Sequence, residues 1–267
     1  MFGVCDLSVI PCRKEPSDKS EMVTQLLFGE HFEVLDTKGN WQLIRIAYDG
    51  YECWIDKKQF LPLSDAKGPV DSAIAVTTDL VQLAEDENGA MTPVLLGSSL
   101  PKFKDGSFFL GKRKYSFEGE ASFPFEKKKS SPQTEDIAAA ARWYMNTPYL
   151  WGGRSPFGLD CSGFTQMVYK LNGIKLKRDA SQQGEQGKTL NFVEEAQTGD
   201  LAFFDNEDGK IVHTGILLNQ HINKSTNFQI IHASGKVRID KLDHHGIYNE
   251  DLKKYSHRLR VVKRFLP

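Results

Sequence analysis

The feature that most constrains this chain is a change of texture near residue 130. From residue 1 to about 126 the apolar residues come only in short strand-like runs separated by turn formers. The first stretch holds Val4 to Cys12, Gln25 to Leu27, Phe32 to Leu35, Trp41 to Tyr48 and Cys53 to Ile55. Pro16-Ser17-Asp18, Lys38-Gly39-Asn40 and Asp49-Gly50 separate these runs, and an Asp-Gly pair between strands is a strong hairpin signal. Five short strands in about 60 residues predict a small barrel over residues 1–62. Residues 63–128 repeat the texture with Ala73 to Val81, Pro93 to Pro101, Phe108 to Gly111 and Lys114 to Phe117, which predicts a second all-β unit. Glu126-Lys127-Lys128-Lys129-Ser130-Ser131-Pro132 is charged, small and proline-punctuated, the composition of a linker.

Downstream, the period becomes helical. Thr134 or Asp136 can cap a helix through Ile137 to Met145, ended before Pro148. A second helix is expected from Cys161, because Phe164, Val168 and Leu171 fall on one face and Asn172-Gly173 supplies a stop. Asp179, with Gln182 three residues on, fits a capping box for a third. Strands then follow at Asp200 to Phe204, Ile211 to Leu218, Phe228 to Ala233 and Arg258 to Phe265. Helices first and an antiparallel sheet afterwards predict an α+β domain over residues 129–267.

Composition narrows the function classes. The chain carries 34 Lys+Arg against 35 Asp+Glu, so it lacks the basic surplus that phosphate neutralisation needs, and no nucleic-acid partner is expected. No apolar run approaches the ~18 residues of a membrane span, and the start lacks the pattern of an export signal, so neither membrane insertion nor export is expected. Cys5, Cys12, Cys53 and Cys161 have neither metal-ligand spacing nor the density of a secreted scaffold, so reduced thiols are expected, with no metal or cofactor.

Cys161 carries the chemistry. It sits in Gly158-Leu159-Asp160-Cys161-Ser162-Gly163, after Tyr149-Leu150-Trp151-Gly152-Gly153, at the predicted start of an amphipathic helix. Free N–H groups and the helix dipole there favour a thiolate, and the same N–H groups suit an oxyanion. A nucleophilic thiol needs a base, and the base an orienting partner. His213 and His232 interrupt apolar strands. A hairpin with its midpoint near 223 places His213 opposite about 233, one position from His232, so register decides whether the two rings share a face. His31, His221, His244, His245 and His257 lie in polar or loop-like contexts. A cysteine at a helix start is more often a buried small hydrophobe, and a strand histidine more often a core residue. Their combination with Trp-Gly-Gly is something packing alone does not require.

These residues resemble the NlpC-type papain-like cysteine peptidases that cut bacterial cell-wall peptides. The likeness is carried by residues 147–153, Asp160-Cys161-Ser162-Gly163-Phe164, Gly199-Asp200-Leu201-Ala202-Phe203-Phe204, Val212-His213-Thr214-Gly215-Ile216 and Ile231-His232-Ala233-Ser234. It implies Cys161 as nucleophile, His213 as general base and acid, and His232 as the residue orienting that imidazole. Thr214 departs from the pattern, which usually has an aliphatic residue there. The upstream stretches resemble bacterial SH3-like domains, on Arg13 to Ser17 and Tyr48 to Ile55. Two such barrels before a papain-like domain resemble the subgroup that cleaves γ-D-glutamyl–L-diamino-acid bonds in murein peptides with a free N-terminal L-alanine. In that subgroup Tyr149, Asp160, Ser162, Arg178 and Asp179 would line the substrate groove, with Asp160 the best candidate to meet the free amine. Tyr51 and Glu21, or Tyr48 and Glu15 in their place, would close it from the first SH3-like domain.

A cysteine endopeptidase recycling murein peptides is therefore expected, as a cytoplasmic monomer; the family also works outside the membrane. Acyl transfer or amidase chemistry on the same scaffold and a non-catalytic wall-binding protein are the alternatives.

Overall fold

The computed structural model describes residues 1–63, 74–126, 133–222 and 225–266. The expected linker at 127–132 and the start of the second β stretch lie outside the described residues. The chain forms two compact units, Met1–Lys129 with Trp151–Pro156, and Ser130–Leu150 with Phe157–Pro267.

The first unit is all strand. β1 (Phe2–Val4), β2 (Val9–Arg13), β3 (Met22–Leu27), β4 (His31–Lys38), β5 (Trp41–Ile46), β6 (Glu52–Asp56) and β7 (Leu61–Leu63) form one sheet, in the order β3-β2-β6-β5-β4-β1-β7. The Val4 to Cys12 run is two strands and not one, because the chain turns at Asp6-Leu7-Ser8 to change partners. β1 pairs with β4 and β7, whereas β2 pairs with β3 and β6. Asp49-Gly50 does join β5 to β6, with Gly50 at φ 78°. Next come β8 (Ile74–Thr77), β9 (Val81–Asp86), β10 (Met91–Leu95), β11 (Ser99–Pro101), β12 (Ser107–Leu110), β13 (Arg113–Phe117) and β14 (Ala121–Ser122). They make a four-stranded sheet, β10-β9-β13-β12, and a three-stranded one, β11-β8-β14. Val4 and Phe28 from the first stretch join the core of the second, where Phe28 meets Phe108 and Tyr115 edge-on at 5.6 and 5.7 Å.

The Trp-Gly-Gly motif runs into β15 (Arg154–Ser155) of this unit. Gly152 has φ +74°, and a Cβ there would sit 2.4 Å from the Met22 carbonyl oxygen, so only glycine fits. Arg154 is fully buried and donates to Glu30 at 2.8 and 3.0 Å and to the Gln25 carbonyl at 2.7 Å. Part of the motif is thus an anchor within this unit.

In the second unit α1 (Thr134–Trp143) follows a capping box between Gln133 and Asp136. After β16 (Gly158–Leu159) come α2 (Cys161–Leu171), α3 (Ala180–Gly184) and β17 (Lys188–Thr189). β18 (Leu201–Asp205), β19 (Ile211–Ile222), β20 (Ser225–Ser234), β21 (Lys236–Leu242), β22 (Gly246–Asn249) and β23 (Lys254–Arg264) complete the unit. The sheet order is β17-β23-β18-β19-β20-β21-β22, and β22 pairs back onto β23, so six strands close a barrel. Its interior holds Ala202, Phe204, Leu217, Phe228, Ile230, Leu242, Ile247 and Val262, with at least one residue from every strand of the ring. α2 lies against β19, β20 and α1, with Phe164, Met167 and Val168 fully buried. β21 and β22 were absent from the expected strand set, since Lys236, Arg238, Asp240 and Lys241 make that stretch read as a polar connection.

Candidate active site

Asp160 caps α2, accepting from the Gly163 N–H at 2.6 Å, and this fixes Cys161 as the first helical residue. Cys161 is buried, and its sulfur receives backbone N–H groups from Thr214 and Ser162. Thr214 follows His213 on β19, so the sheet reaches the sulfur beside the expected base.

The register of β19 and β20 decides the next step. Ile216 pairs with Ile231 and Ile222 with Ser225. The same count carried back sets His213 opposite residue 234 and His232 two positions away, on the same face. That is one residue off the expected pairing, and it brings the rings together. His213 Nε2 and His232 Nδ1 are 2.8 Å apart. His213, Gly215 and Leu217 alternate onto one face, and Leu217 belongs to the barrel interior, so the imidazoles line one end of that interior. Gly215 makes room for the contact, because a Cβ there would lie 2.8 Å from the His232 Cβ.

The chain of contacts continues to residues that the sequence did not single out. His232 pairs with Arg238 across β20 and β21, and Asp240, two residues on, returns to the same face. His232 Nε2 lies 3.0 Å from Asp240 Oδ2, and Arg238 Nη2 donates to Asp240 Oδ1 at 2.8 Å. His257 from β23 stacks on His213 with centroids 4.1 Å apart. Asp240 was detectable: Gly235 closes the β20–β21 turn, and counting outward from it pairs 232 with 238 and puts 240 on the histidine's face. His257 had no local signal, since only closure of the barrel brings β23 beside β18 and β22.

Burial dominates the electrostatics. It pushes the Cys161 thiol up to about 12, helped by Asp160, while the Thr214 N–H, the Arg178 charge and the Ser162 N–H pull it back only in part. Burial, then His232 and His257, holds His213 well below its ordinary value. The expectation that the helix start alone yields a thiolate is therefore corrected: the resting pair is a thiol and an uncharged imidazole. Burial first, then hydrogen bonds from His232 and Arg238 that outweigh it, leave Asp240 below the usual carboxylate range.

A second cluster lies under the start of α2. Arg178 donates to Asp160 Oδ1 at 3.0 Å and Oδ2 at 2.5 Å, and to Ser162 Oγ at 2.9 Å. Asp179 caps α3 in the expected capping box with Gln182. Tyr149 is half-buried; burial, then the charges of Cys161 and Asp160, raise its pKa, so its hydroxyl stays protonated. Glu21 and Tyr51 belong to the other unit. There Glu21 accepts from Trp151 Nε1 at 2.8 Å and from Lys14 at 3.3 Å, and Tyr51 packs on the apolar cluster of Ile10, Phe32, Ile44 and Ile55.

Residues 146–256 match the NlpC/P60 family, and residues 12–60 match the bacterial dipeptidyl-peptidase Sh3 domain. A gamma-D-glutamyl-L-lysine dipeptidyl-peptidase of Bacillus cereus is 26% identical over 211 residues, 73% of this chain and 63% of that protein, so the chain spans less than two thirds of that relative. The fold is also that of an NlpC/P60 family protein from Bacillus cereus, with a TM-score of 0.81, 20% identity and full coverage of both chains. A gamma-D-glutamyl-L-lysine dipeptidyl-peptidase of Bacillus subtilis is 31% identical over 206 residues, 72% of this chain and 68% of that protein. With its N-terminal SH3 domain and its papain-like second unit, the chain belongs to the NlpC/P60 family of cysteine peptidases.

Proposed function

We propose that this protein is a cysteine endopeptidase that hydrolyses the γ-D-glutamyl–L-diamino-acid bond of murein-derived peptides with a free N-terminal L-alanine. The observation that carries the reading is the 2.8 Å contact between His213 Nε2 and His232 Nδ1. It commits one nitrogen of His213 to orientation and leaves Nδ1 for the thiol whose sulfur the next residue's N–H already touches. The likeness to the gamma-D-glutamyl-L-lysine dipeptidyl-peptidases of Bacillus supports the bond class.

In this reading the Cys161 sulfur attacks the γ-amide carbonyl as its proton passes to His213 Nδ1. Because the resting thiol is protonated, transfer and attack go together. The oxyanion is met by the N–H groups at the start of α2 and by the Tyr149 hydroxyl. His213 then protonates the departing amine, and water, deprotonated by the same ring, releases the acid from the thioester. Asp160, Ser162, Arg178 and Asp179 form the polar floor beside the nucleophile. Residues 74–126 act as a second SH3-like module, supported by their short antiparallel strands around one core. Four buried, unpaired cysteines support a cytoplasmic recycling role.

The test is cleavage of L-Ala-γ-D-Glu-L-Lys and its diaminopimelate counterpart, with the amine free or acetylated, followed by mass. Release of the diamino acid from the free-amine peptides, abolished by Cys161→Ala, is expected. Full activity in that variant, or equal cleavage of the acetylated peptide, contradicts the proposal.

A further inference from the structure

The structure assigns a role to Asp240 and Arg238: together they set the tautomer of the two active-site imidazoles, so that His213 presents a bare Nδ1 to Cys161. This inference rests on the peptidase reading for its catalytic consequence, but its structural core does not need a substrate.

The argument follows the protons. An ionised Asp240 can only accept, so His232 Nε2, at 3.0 Å, carries the hydrogen that bridges them. An uncharged His232 then has Nδ1 bare, and the 2.8 Å contact with His213 Nε2 exists only if that nitrogen carries the hydrogen. An uncharged His213 protonated on Nε2 has its lone pair on Nδ1, the form a general base needs. Three strands thus pass one instruction, from the carboxylate on β21 through β20 to β19.

Arg238 determines which atom of residue 240 faces the relay. Its Nη2 donates to Oδ1 at 2.8 Å, and the same nitrogen donates to a second acceptor, Asp251 Oδ2, at 2.9 Å, which fixes the guanidinium in place. With an aspartate this choice is invisible, since both oxygens accept. With an asparagine it is decisive: the amide oxygen must turn to Arg238, and the NH2 group then points at His232 Nε2. His232 is driven to carry its hydrogen on Nδ1, His213 Nε2 becomes the acceptor, and His213 Nδ1 is capped by a hydrogen on the side needed by the thiol. This is the wrong-tautomer failure known for serine-type triads, where the same substitution costs about four orders of magnitude in kcat. The ionisable groups around the relay are Cys161 on α2, His213 on β19, His232 on β20, Arg238 and Asp240 on β21, His257 on β23 and Asp251 beyond β22. None but Arg238 holds Asp240 Oδ1 in the described hydrogen bonds.

The test compares wild type, Asp240→Asn, Arg238→Ala and the double variant, with full-length protein throughout. Nitrogen-15 spectra of the imidazoles above pH 7 report the tautomers without substrate. In wild type and in Arg238→Ala, hydrogens on Nε2 of both His213 and His232 are expected. In Asp240→Asn both move to Nδ1, and in the double variant, where the amide is free to turn its oxygen to His232, both return to Nε2. On L-Ala-γ-D-Glu-L-Lys, Asp240→Asn is expected to lose about 100-fold or more in kcat with KM within about twofold, and the double variant to recover at least about tenfold of that loss. Recovery on removing a second side chain is not what a merely structural role for Asp240 gives. A wild-type His213 hydrogen on Nδ1, an Asp240→Asn enzyme with more than half the wild-type kcat, or a double variant no better than the single one overturns the inference. A wild type that leaves the peptide uncut contradicts the peptidase reading, while the spectra still decide the relay. Should Asp240→Asn fail to fold, the wild-type and Arg238→Ala spectra do the same.

Discussion

Arg178 grips Asp160 through both terminal nitrogens, at 3.0 and 2.5 Å, directly beneath the residue that carries the thiol. Arg178 is 1% exposed and Asp160 7%, so neither charge has much water to fall back on. Arg178→Ala takes the counter-charge away from a buried carboxylate. We expect a stability loss of about 3–5 kcal/mol in urea denaturation. A slower alkylation of Cys161 at pH 8 should accompany it, because the cation that pulls the thiol pKa down is gone. Arg178→Ala with Asp160→Asn, which removes the buried charge and keeps an oxygen for the Gly163 N–H, should regain part of the stability; a double variant weaker than Arg178→Ala argues against the pair.

Thr214 is fully buried, and its hydroxyl finds no hydrogen-bond partner among the described residues. A buried orphan hydroxyl is unfavourable by about 1–3 kcal/mol. Thr214→Val keeps the shape and the backbone N–H that serves Cys161. Its unfolding midpoint should rise, by about 1 kcal/mol in free energy, with peptide cleavage kept; a lower midpoint would place an unseen partner on that oxygen.

Gly215 has no strained φ, so its value lies in the space it leaves. In Gly215→Ala the new methyl meets the His232 Cβ and the Ile230 side chain at 2.8 Å. Overpacking of this kind costs about 1–3 kcal/mol, and it pushes His232 off His213. A kcat loss larger than the stability change accounts for at 25 °C is expected, while Gly209→Ala, strained by its φ of +76° in a turn with open space around it, serves as control for a loss of stability away from the histidines. Equal kcat in wild type and Gly215→Ala would remove Gly215 from any positioning role.

Stability should fall on acidification before the carboxylates titrate. Burial is the first cause that holds His213 well below its ordinary value and lowers His257 and His31 to about 4. Between about 4 and 6.5 the unfolded chain binds protons at these rings that the folded chain refuses. Stability therefore rises with pH through this window, by roughly 1 kcal/mol per pH unit for each histidine fully involved. The depressed Asp240 continues the loss at lower pH, since its stabilisation is present above the unfolded value and disappears as pH falls. Urea midpoints at pH 7.5, 6 and 5 measure this; a midpoint that holds or rises toward pH 5 contradicts it.

Cap chemistry made the helices legible. Asn172-Gly173 after Leu171 and Asp179 with Gln182 are local signals, and α2 ends and α3 begins on them. His213 and His232 could be found because polar rings interrupt apolar strands. Asp240 could not be found by the same rule, since its strand is rich in charge and reads as a connection. The thiol's direction of shift was misread for a related reason: the helix start is visible locally, whereas the burial that opposes it exists only once the unit has folded and brought Thr214 of β19 to the sulfur. Val4 to Cys12 was read as one run because a change of strand partner leaves no mark on hydropathy.

The ladder that carries His213, His232 and Asp240 is a rung built across three neighbouring strands, so its dimensions come from main-chain spacing inside a closed ring and not from any connecting loop. Surface turns such as Asn206 to Lys210 can therefore be lengthened, tagged or cut to make new chain ends without moving a reacting atom, which makes this barrel a scaffold whose chemistry and whose outline can be redesigned separately.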